Sequence, residues 1–425
     1  MKKLLVVLLV LGLASPAMAA QWGWYGQVAT HLGWYSVTED YGGGPSMDST
    51  ISGYANEFDG ETDSGMFVNM AGQSRLGARV KVTDQLSAHV EMGLTNAGLS
   101  TGDDHYNTEE VYLRGAYGKY QMGPGSLMVG KYFTPATFLL YSGMTGDVGD
   151  MGDAIMLSTC IPYAGRRAQI RYSIAGFDIA LVEHVIANGT NNVLTGTDSN
   201  GADVTYADAD FALPKIELAY QYNHPVFSIR PIIGYQSFTV EMNSVAGDES
   251  ETITSMLYGL GVNLRLGMAK VNFSYAMSTN PGNYGIKNAA SVGIMGGAPM
   301  NYLTRARMIG GDVEDATLSQ AMIAVNLKFN QMVSLELGYG MNDASQALSS
   351  DNDVSLHSTL YYLNVPITVG PGMTITPEFG LLDRGTATLD EEVTYLDVPT
   401  MEMVTSDEID TGAMSWFSVR FAVSF

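Results

Sequence analysis

Residues 70–82 read MAGQSRLGARVKV, and they alternate. Met70, Gly72, Ser74, Leu76, Ala78, Val80 and Val82 share one parity; Ala71, Gln73, Arg75, Gly77, Arg79 and Lys81 share the other. A period of two, with one apolar and one charged set, marks a β-strand whose two faces meet different surroundings. Thr83, Asp84 and Gln85 then reverse the chain. Leu86, Ala88, Val90, Met92 and Leu94 carry the apolar face onward, opposite Ser87, His89, Glu91 and Thr95.

The same pattern fills the chain. Val111, Leu113 and Tyr117 oppose Glu110, Tyr112 and Arg114. Ala168, Ile170, Tyr172 and Ile174 oppose Arg167, Gln169, Arg171 and Ser173. Val271, Phe273 and Tyr275 oppose Lys270, Asn272 and Ser274, and Phe417, Val419, Phe421, Val423 and Phe425 oppose Ser418, Arg420 and Ser424. No segment sustains a helical period.

Connections alternate in length. Short turns fall at 83–85, 121–125, 175–176, 224–225, 267–268, 330–331 and 370–372. Long loops fall near 38–65, 96–108, 133–165, 187–210, 242–253, 280–316, 343–353 and 385–411. Seven turns and eight loops separate sixteen strands, with both termini on the short-turn side. An even strand number with short turns on one rim and long loops on the other is the pattern of a bacterial outer-membrane barrel. A soluble sandwich of this size needs linkers between separate units, and none is seen. In lipid every backbone donor and acceptor must be paired, so the strands must close into a cylinder. The expected fold is an all-β transmembrane antiparallel β-barrel of sixteen strands, with short periplasmic turns and long extracellular loops.

Charge is sorted by position. The 425 residues hold 21 Lys+Arg against 44 Asp+Glu, a formal net charge of −23. That balance excludes nucleic acid as a partner, which needs a basic surface. Acids crowd the long loops: Glu57, Asp59, Glu61 and Asp63 in the first, Asp390, Glu391, Glu392, Asp407, Glu408 and Asp410 in the last. Arg75, Arg79, Lys81, Arg114, Arg167, Arg171, Arg230, Arg265, Lys270, Lys328, Arg384 and Arg420 all fall on the polar parity. A basic residue facing hydrocarbon near the midplane costs ~2–4 kcal/mol. Twelve of them must therefore face a wet interior, and a barrel of about 16 strands leaves room for an aqueous channel.

Lys2 and Lys3, the apolar run from Leu4 to Leu13 and Ala17-Met18-Ala19 form a signal peptide over residues 1–19, leaving 20–425 as the barrel domain. The single Cys160 excludes a disulfide framework and Cys-based metal or c-type haem sites, and is read as a free thiol. Asp198-Ser199-Asn200-Gly201-Ala202-Asp203 starts like a calcium loop, but Ala209 stands where the bidentate Glu belongs; a solvated acidic loop is expected. HExxH and GxSxG are both absent. No catalytic residue, cofactor or metal is assigned. Trp22, Trp24, Tyr25, Trp34, Tyr35 and Trp416 are expected at the bilayer interfaces or at a subunit contact.

Several stretches resemble the Gram-negative general diffusion porins. Ser74-Arg75-Leu76-Gly77, then residues 82–86 and Glu91, resemble that family's second and third strands. Ala116-Tyr117-Gly118, residues 123–130 and Lys131-Tyr132-Phe133-Thr134-Pro135 are similar to its fourth-to-fifth hairpin and the entry to loop 3. Gly165-Arg166-Arg167 through Tyr172-Ser173 is similar to the strand leaving that loop, and residues 416–425 resemble the terminal signal read by the assembly machinery through Phe425. The resemblance implies a homotrimer, each barrel with loop 3 folded into its lumen as a constriction. On that reading Asp147, Asp150 and Asp153 of loop 3 face basic residues of the wall, Arg75, Arg79, Arg114, Arg167 and Arg171, across a narrow gap. The Pro-Glu-Phe-Gly-Gly run of enterobacterial members is missing; Ala154-Ile155-Met156-Leu157 and Cys160 occupy the loop instead.

The implied function is an outer-membrane pore for passive diffusion of small hydrophilic solutes and ions, with no enzymatic turnover. Lipopolysaccharide, bridged to the acidic loops by divalent cations, is the expected lipid partner. Two other readings stay open: a substrate-specific channel for anions, organic acids or sugars, and a barrel enzyme or adhesin with a plugged lumen. Aromatic ladders or lysine clusters in the inner loops favour the specific channel.

Overall fold

The computed structural model describes residues 20–38, 62–70, 74–97, 108–137, 160–185, 194–197, 203–206, 209–244, 247–286, 304–349, 352–383, 385–397, 402–410 and 412–425. The proposed signal peptide, the three loop 3 aspartates and most of the calcium-like loop lie outside the described residues.

Among the described residues, sixteen antiparallel strands form one closed sheet. They are β1 (Gln21–Thr38), β2 (Thr62–Met70 continued by Arg75–Lys81), β3 (Leu86–Ala97), β4 (Thr108–Met122), β5 (Gly125–Phe133), β6 (Arg166–Ile174), β7 (Phe177–Val182) and β8 (Lys215–Tyr220 continued by Tyr222–Asn223). Then follow β9 (Phe227–Ser244), β10 (Gly247–Leu266), β11 (Ala269–Thr279), β12 (Thr317–Lys328), β13 (Ser334–Ser349), β14 (Asn352–Asn364 continued by Ile367–Gly370), β15 (Met373–Asp383 and Thr386–Asp397) and β16 (Glu402–Asp410 and Ala413–Ser424). Each pairs with its sequence neighbour, and β1 pairs with β16 from Gln27↔Ser424 to Thr38↔Ala413, which leaves no open edge. All seven short turns stand where the alternation places them, with both ends of the barrel chain on that rim.

Burial is inverted relative to a water-soluble sheet. Phe273, Tyr275 and Met277 are exposed, whereas Asn272, Ser274 and Ser278 between them are buried. The exposed set forms an outer apolar band, including Leu32, Val90, Ile170, Leu218, Phe379 and Phe421. Trp24, Tyr120, Tyr222 and Phe329 near the turns, and Trp34, Tyr258 and Tyr361 near the loops, border it as interfacial aromatics.

The abundance of Gly and Tyr has a packing cause on the inner face. Tyr25, Tyr35, Tyr112, Tyr362 and Trp416 each lie directly across the ladder from a glycine: Gly77, Gly65, Gly93, Gly338 and Gly380 respectively. Each ring folds over its glycine; a Cβ on Gly380 would stand 1.6 Å from the Trp416 ring, and one on Gly338 1.9 Å from Tyr362. Aromatic rings covering cross-strand glycines fix register while bending the sheet.

Three expectations change. The stretches 242–253, 343–353 and 385–411 are not long loops: pairing continues up to Ser244↔Gly247, Ser349↔Asn352 and Asp397↔Glu402. Apolar alternation stops where the bilayer stops, but the backbone ladder needs no lipid and runs on into water. Second, Tyr117 is not on the outer face with Val111 and Leu113. Glu91 pairs with Gly115 while Met92 pairs with Leu113, so Arg114 is an extra residue, a β-bulge that reverses parity beyond it. Third, Tyr25, Tyr35 and Trp416 point inward. They sit on the opposite parity from Trp22, Trp24 and Trp34, or from Phe417, and Trp416 donates its indole N–H to Glu378 Oε1 at 2.7 Å.

Loops 4 and 6 are laced together by a second sheet. Leu194–Thr197, Asp203–Tyr206, Arg307–Ile309 and Asp312–Glu314 form a separate small sheet, joined by parallel pairing of Thr195 and Gly196 with Arg307 and Met308.

Candidate functional site

The inner wall is unevenly covered. On the β9–β16 side, inward residues such as Gln236, Leu257, Ala276, Leu318, Ala344, Leu356, Leu382 and Trp416 are almost completely buried. Loop segments lie against them. Tyr284 and Ile286 of loop 6, with Ala136 and Ala164 from the two limbs of loop 3, share a cluster with Ala219, Ile232, Leu257, Ala276, Leu318, Ala344 and Leu356 of the wall. Further along loop 3, Cys160 and Ile161 pack against Tyr35, Met322, Ala324, Leu360, Tyr362, Leu382, Met414 and Trp416. The returning limb of loop 3 therefore crosses the lumen before entering β6. Burial pushes the Cys160 thiol pKa well up, so it stays neutral.

The β2–β7 side is partly open to water, and it carries the bases. Arg75 keeps a third of its side chain open and Arg79 is exposed. Arg167 and Arg171 are partly open on β6, where they alternate with Gln169 and Ser173. Arg75 and Arg79 of β2, Arg114 of β4 and Arg167 and Arg171 of β6 stand on the inward parity of their strands. Arg114, the bulge residue, points inward like Tyr112 before it, and its Nε lies 2.9 Å from Glu91 Oε1; Arg75 Nε approaches the other oxygen at 3.7 Å. Tyr25 donates to Glu91 Oε2 at 2.7 Å, and its oxygen then accepts from Nε2–H of His89 at 2.5 Å. Arg79 stacks over the Tyr25 ring, 4.9 Å from its centroid. Arg171 donates to the Phe133 carbonyl at 3.3 Å, tying the wall to the root of loop 3.

Sequence reading missed part of this site. Arg230 pairs with Asp178 at 3.2 Å and also donates to the Pro135 carbonyl at 3.4 Å. Arg166 stacks on Phe133 at 4.0 Å. A continuous row of rings runs through Tyr25, His89, Tyr117, Tyr132, Phe133 and Tyr163, with successive centroids 5.0–6.3 Å apart from Tyr25–His89 at 5.9 Å onward. The doublet Arg166-Arg167 was a legible signal; the row was not, because it needs cross-strand register and the bulge. Among the described residues no group of three metal-ligating side chains converges.

The arrangement is a lumen narrowed from one side by loops and lined on the other by guanidinium groups and phenols. A model of the Gram-negative porin family matches residues 5–347. The chain belongs to the Gram-negative porins. This porin is a bacterial outer-membrane channel for passive diffusion. Its fold is similar to the outer membrane channel DcaP of Acinetobacter baumannii, with 12% identity over 96% of this chain and 97% of that one and a TM-score of 0.57. It is also similar to an anion-selective porin from Comamonas acidovorans, at 13% identity over 96% and 100% of the chains, TM-score 0.52. A third likeness is to a loop L8 deletion mutant of OmpT of Vibrio cholerae, at 14% identity over 96% and 100%, TM-score 0.50. At these identities the likeness is one of fold. No curated protein matches the porin in sequence.

Proposed function

We propose that small hydrophilic solutes cross this porin along the β2–β7 wall, and that the wall gives the passage a preference for anions. One observation carries the reading: Arg75, Arg79, Arg167 and Arg171 share one inner face open to water with the buried Arg114 behind them, and the acidic side chains described beside them are Glu91 and Asp178. In this reading Asp147, Asp150 and Asp153 of loop 3 stand across the gap and set up a transverse field that orients dipolar solutes. With Arg166 and Arg230 counted beside those five arginines, seven guanidinium groups face these five acids, so the neck stays basic. Charge rings of one sign favour counter-ions at the constriction.

The porin binds no cofactor in this account and turns nothing over. It works as a homotrimer, reaches the membrane through recognition of the strand ending at Phe425, and sits among lipopolysaccharide molecules bridged by divalent cations. Reversal potential in a planar bilayer under a KCl gradient tests the ion preference. A potential of the sign set by chloride flux supports it; one set by potassium flux refutes it.

A substrate-specific channel is the second reading, favoured by the row of rings from Tyr25 to Tyr163 beside the arginines. Liposome swelling with sugars of increasing size, and with organic acids of matched size, separates the two. A graded cut-off supports the general pore; a steep preference for one solute supports the specific channel.

A further inference from the structure

Glu217 belongs to β8, yet its carboxylate serves three different parts of the chain. Oε2 accepts the backbone N–H of Ala136, in the outgoing limb of loop 3, at 2.8 Å. Oε1 accepts the hydroxyl of Tyr284, in the single helical turn α1 (Pro281–Tyr284) of loop 6, at 3.0 Å. Lys215 Nζ, two residues away on the same strand, lies 3.4 Å from Oε1. Both charged side chains are wholly buried. The same lysine also donates to the Tyr284 carbonyl at 3.3 Å and sits 4.3 Å from the Tyr284 ring centre.

The neighbouring strand is shaped to receive the same tyrosine. Gly234 pairs with Glu217 across the ladder, and a Cβ there would stand 2.0 Å from the Tyr284 hydroxyl oxygen. Gln236, two residues on, donates to the carbonyls of Asn283 and Val185 and accepts from the Val185 N–H. The contacts thus bind loop 3, loop 6 and the end of β7 to one patch of inner wall. A buried carboxylate makes such bonds strong, because leaving it unpaired is unfavourable.

We infer that Glu217 is a positioning residue for permeation: it holds loop 3 and loop 6 against the β8–β9 wall and thereby sets the size limit of the pore. Released from it, α1 and the root of loop 3 lose their common anchor, and both segments are free to leave the lumen's cross-section. The anchor acts on the bore and not on the charge of the passage, so it stands apart from the proposed anion preference. Neutral sugars read it without reference to that preference.

The test uses the mature porin in liposomes and planar bilayers. Glu217→Gln keeps the shape but removes the charge that strengthens both bonds and the pairing with Lys215, so the anchor is weakened at every contact. The expected result is a folded barrel, shown by unchanged heat-modifiable mobility on a gel, with single-channel conductance raised roughly 1.5-fold or more, as pore diameter governs flux. The swelling cut-off should move to larger sugars. Tyr284→Ala, in the loop and outside the strands, should shift both readouts the same way. Gly234→Ala should also do so by pushing the ring off the wall with no change of charge. Wild-type conductance and cut-off in folded Glu217→Gln overturn the inference. If Glu217→Gln fails to fold, Tyr284→Ala decides alone: a raised cut-off supports the anchor, and an unchanged one refutes it.

Discussion

Arg114 Nε lies 2.9 Å from Glu91 Oε1, at the β4 bulge where Met92 pairs with Leu113 and Glu91 with Gly115. Glu91 also holds Arg75 and Tyr25, so a single carboxylate offsets part of a basic wall. Glu91→Gln keeps the hydrogen-bond acceptor for Tyr25 and removes the charge. The chloride-to-potassium permeability ratio should rise about fourfold, since one charge ~10 Å away in a water-like medium acts on each ion by ~0.4 kcal/mol with opposite sign. Reversal potentials of the variant and the parent check it; an unchanged ratio contradicts it.

The preference should also depend on salt. The Debye length is about 10 Å at 0.1 M and about 3 Å at 1 M. Arg75 and Arg79 are open to solvent, so their field is screened at the higher concentration. Permeability ratios measured at equal gradients should fall toward that of bulk electrolyte between those concentrations. A ratio independent of salt would point to sieving by size alone.

How much of this was readable from sequence differs by level. Residues 70–82 already show which side chains share a face, and period two carries that through sixteen strands. The inward placement of Arg79, Arg171 and Glu217 follows from parity alone. Tyr117 did not follow, because a bulge is one residue long and leaves no mark in composition. The reach of the outer hairpins was hidden for another reason: hydrophobic alternation reports the bilayer, and Thr386–Asp397 is paired beyond it. The loop 6 anchor was invisible, since Glu217 and Tyr284 are 67 residues apart and meet only after the barrel closes.

Gly380 offers a stability test. The Trp416 ring occupies the space a Cβ would need, and its indole N–H satisfies buried Glu378. Gly380→Ala should destabilise the barrel by roughly 1–3 kcal/mol through overpacking. Trp416→Phe should also destabilise it, by about 1–3 kcal/mol, because the carboxylate loses a donor. Urea unfolding in lipid vesicles, followed by tryptophan fluorescence or by gel mobility, measures the first; gel mobility suits the second. Parental midpoints in both variants contradict the packing account.

Cys160 reports on loop 3. Its thiol is buried against Gly340 and Met322, and burial holds it protonated. In the folded porin, N-ethylmaleimide at pH 8 should leave it unlabelled for hours, while the heat-denatured chain should label within minutes. Mass spectrometry reads both. Rapid labelling of the folded protein would mean that the return limb does not pack on the far wall.

The central claim is that the arginine face of β2–β6 meets the flowing electrolyte. A Cys160→Ala porin carrying Arg79→Cys, recorded in a bilayer while a charged methanethiosulfonate is added, tests it most directly, with Ile170→Cys on the outer face as the control. The account predicts a stepwise change of conductance at position 79 and none at position 170. A silent position 79, or a response at 170 instead, would contradict it.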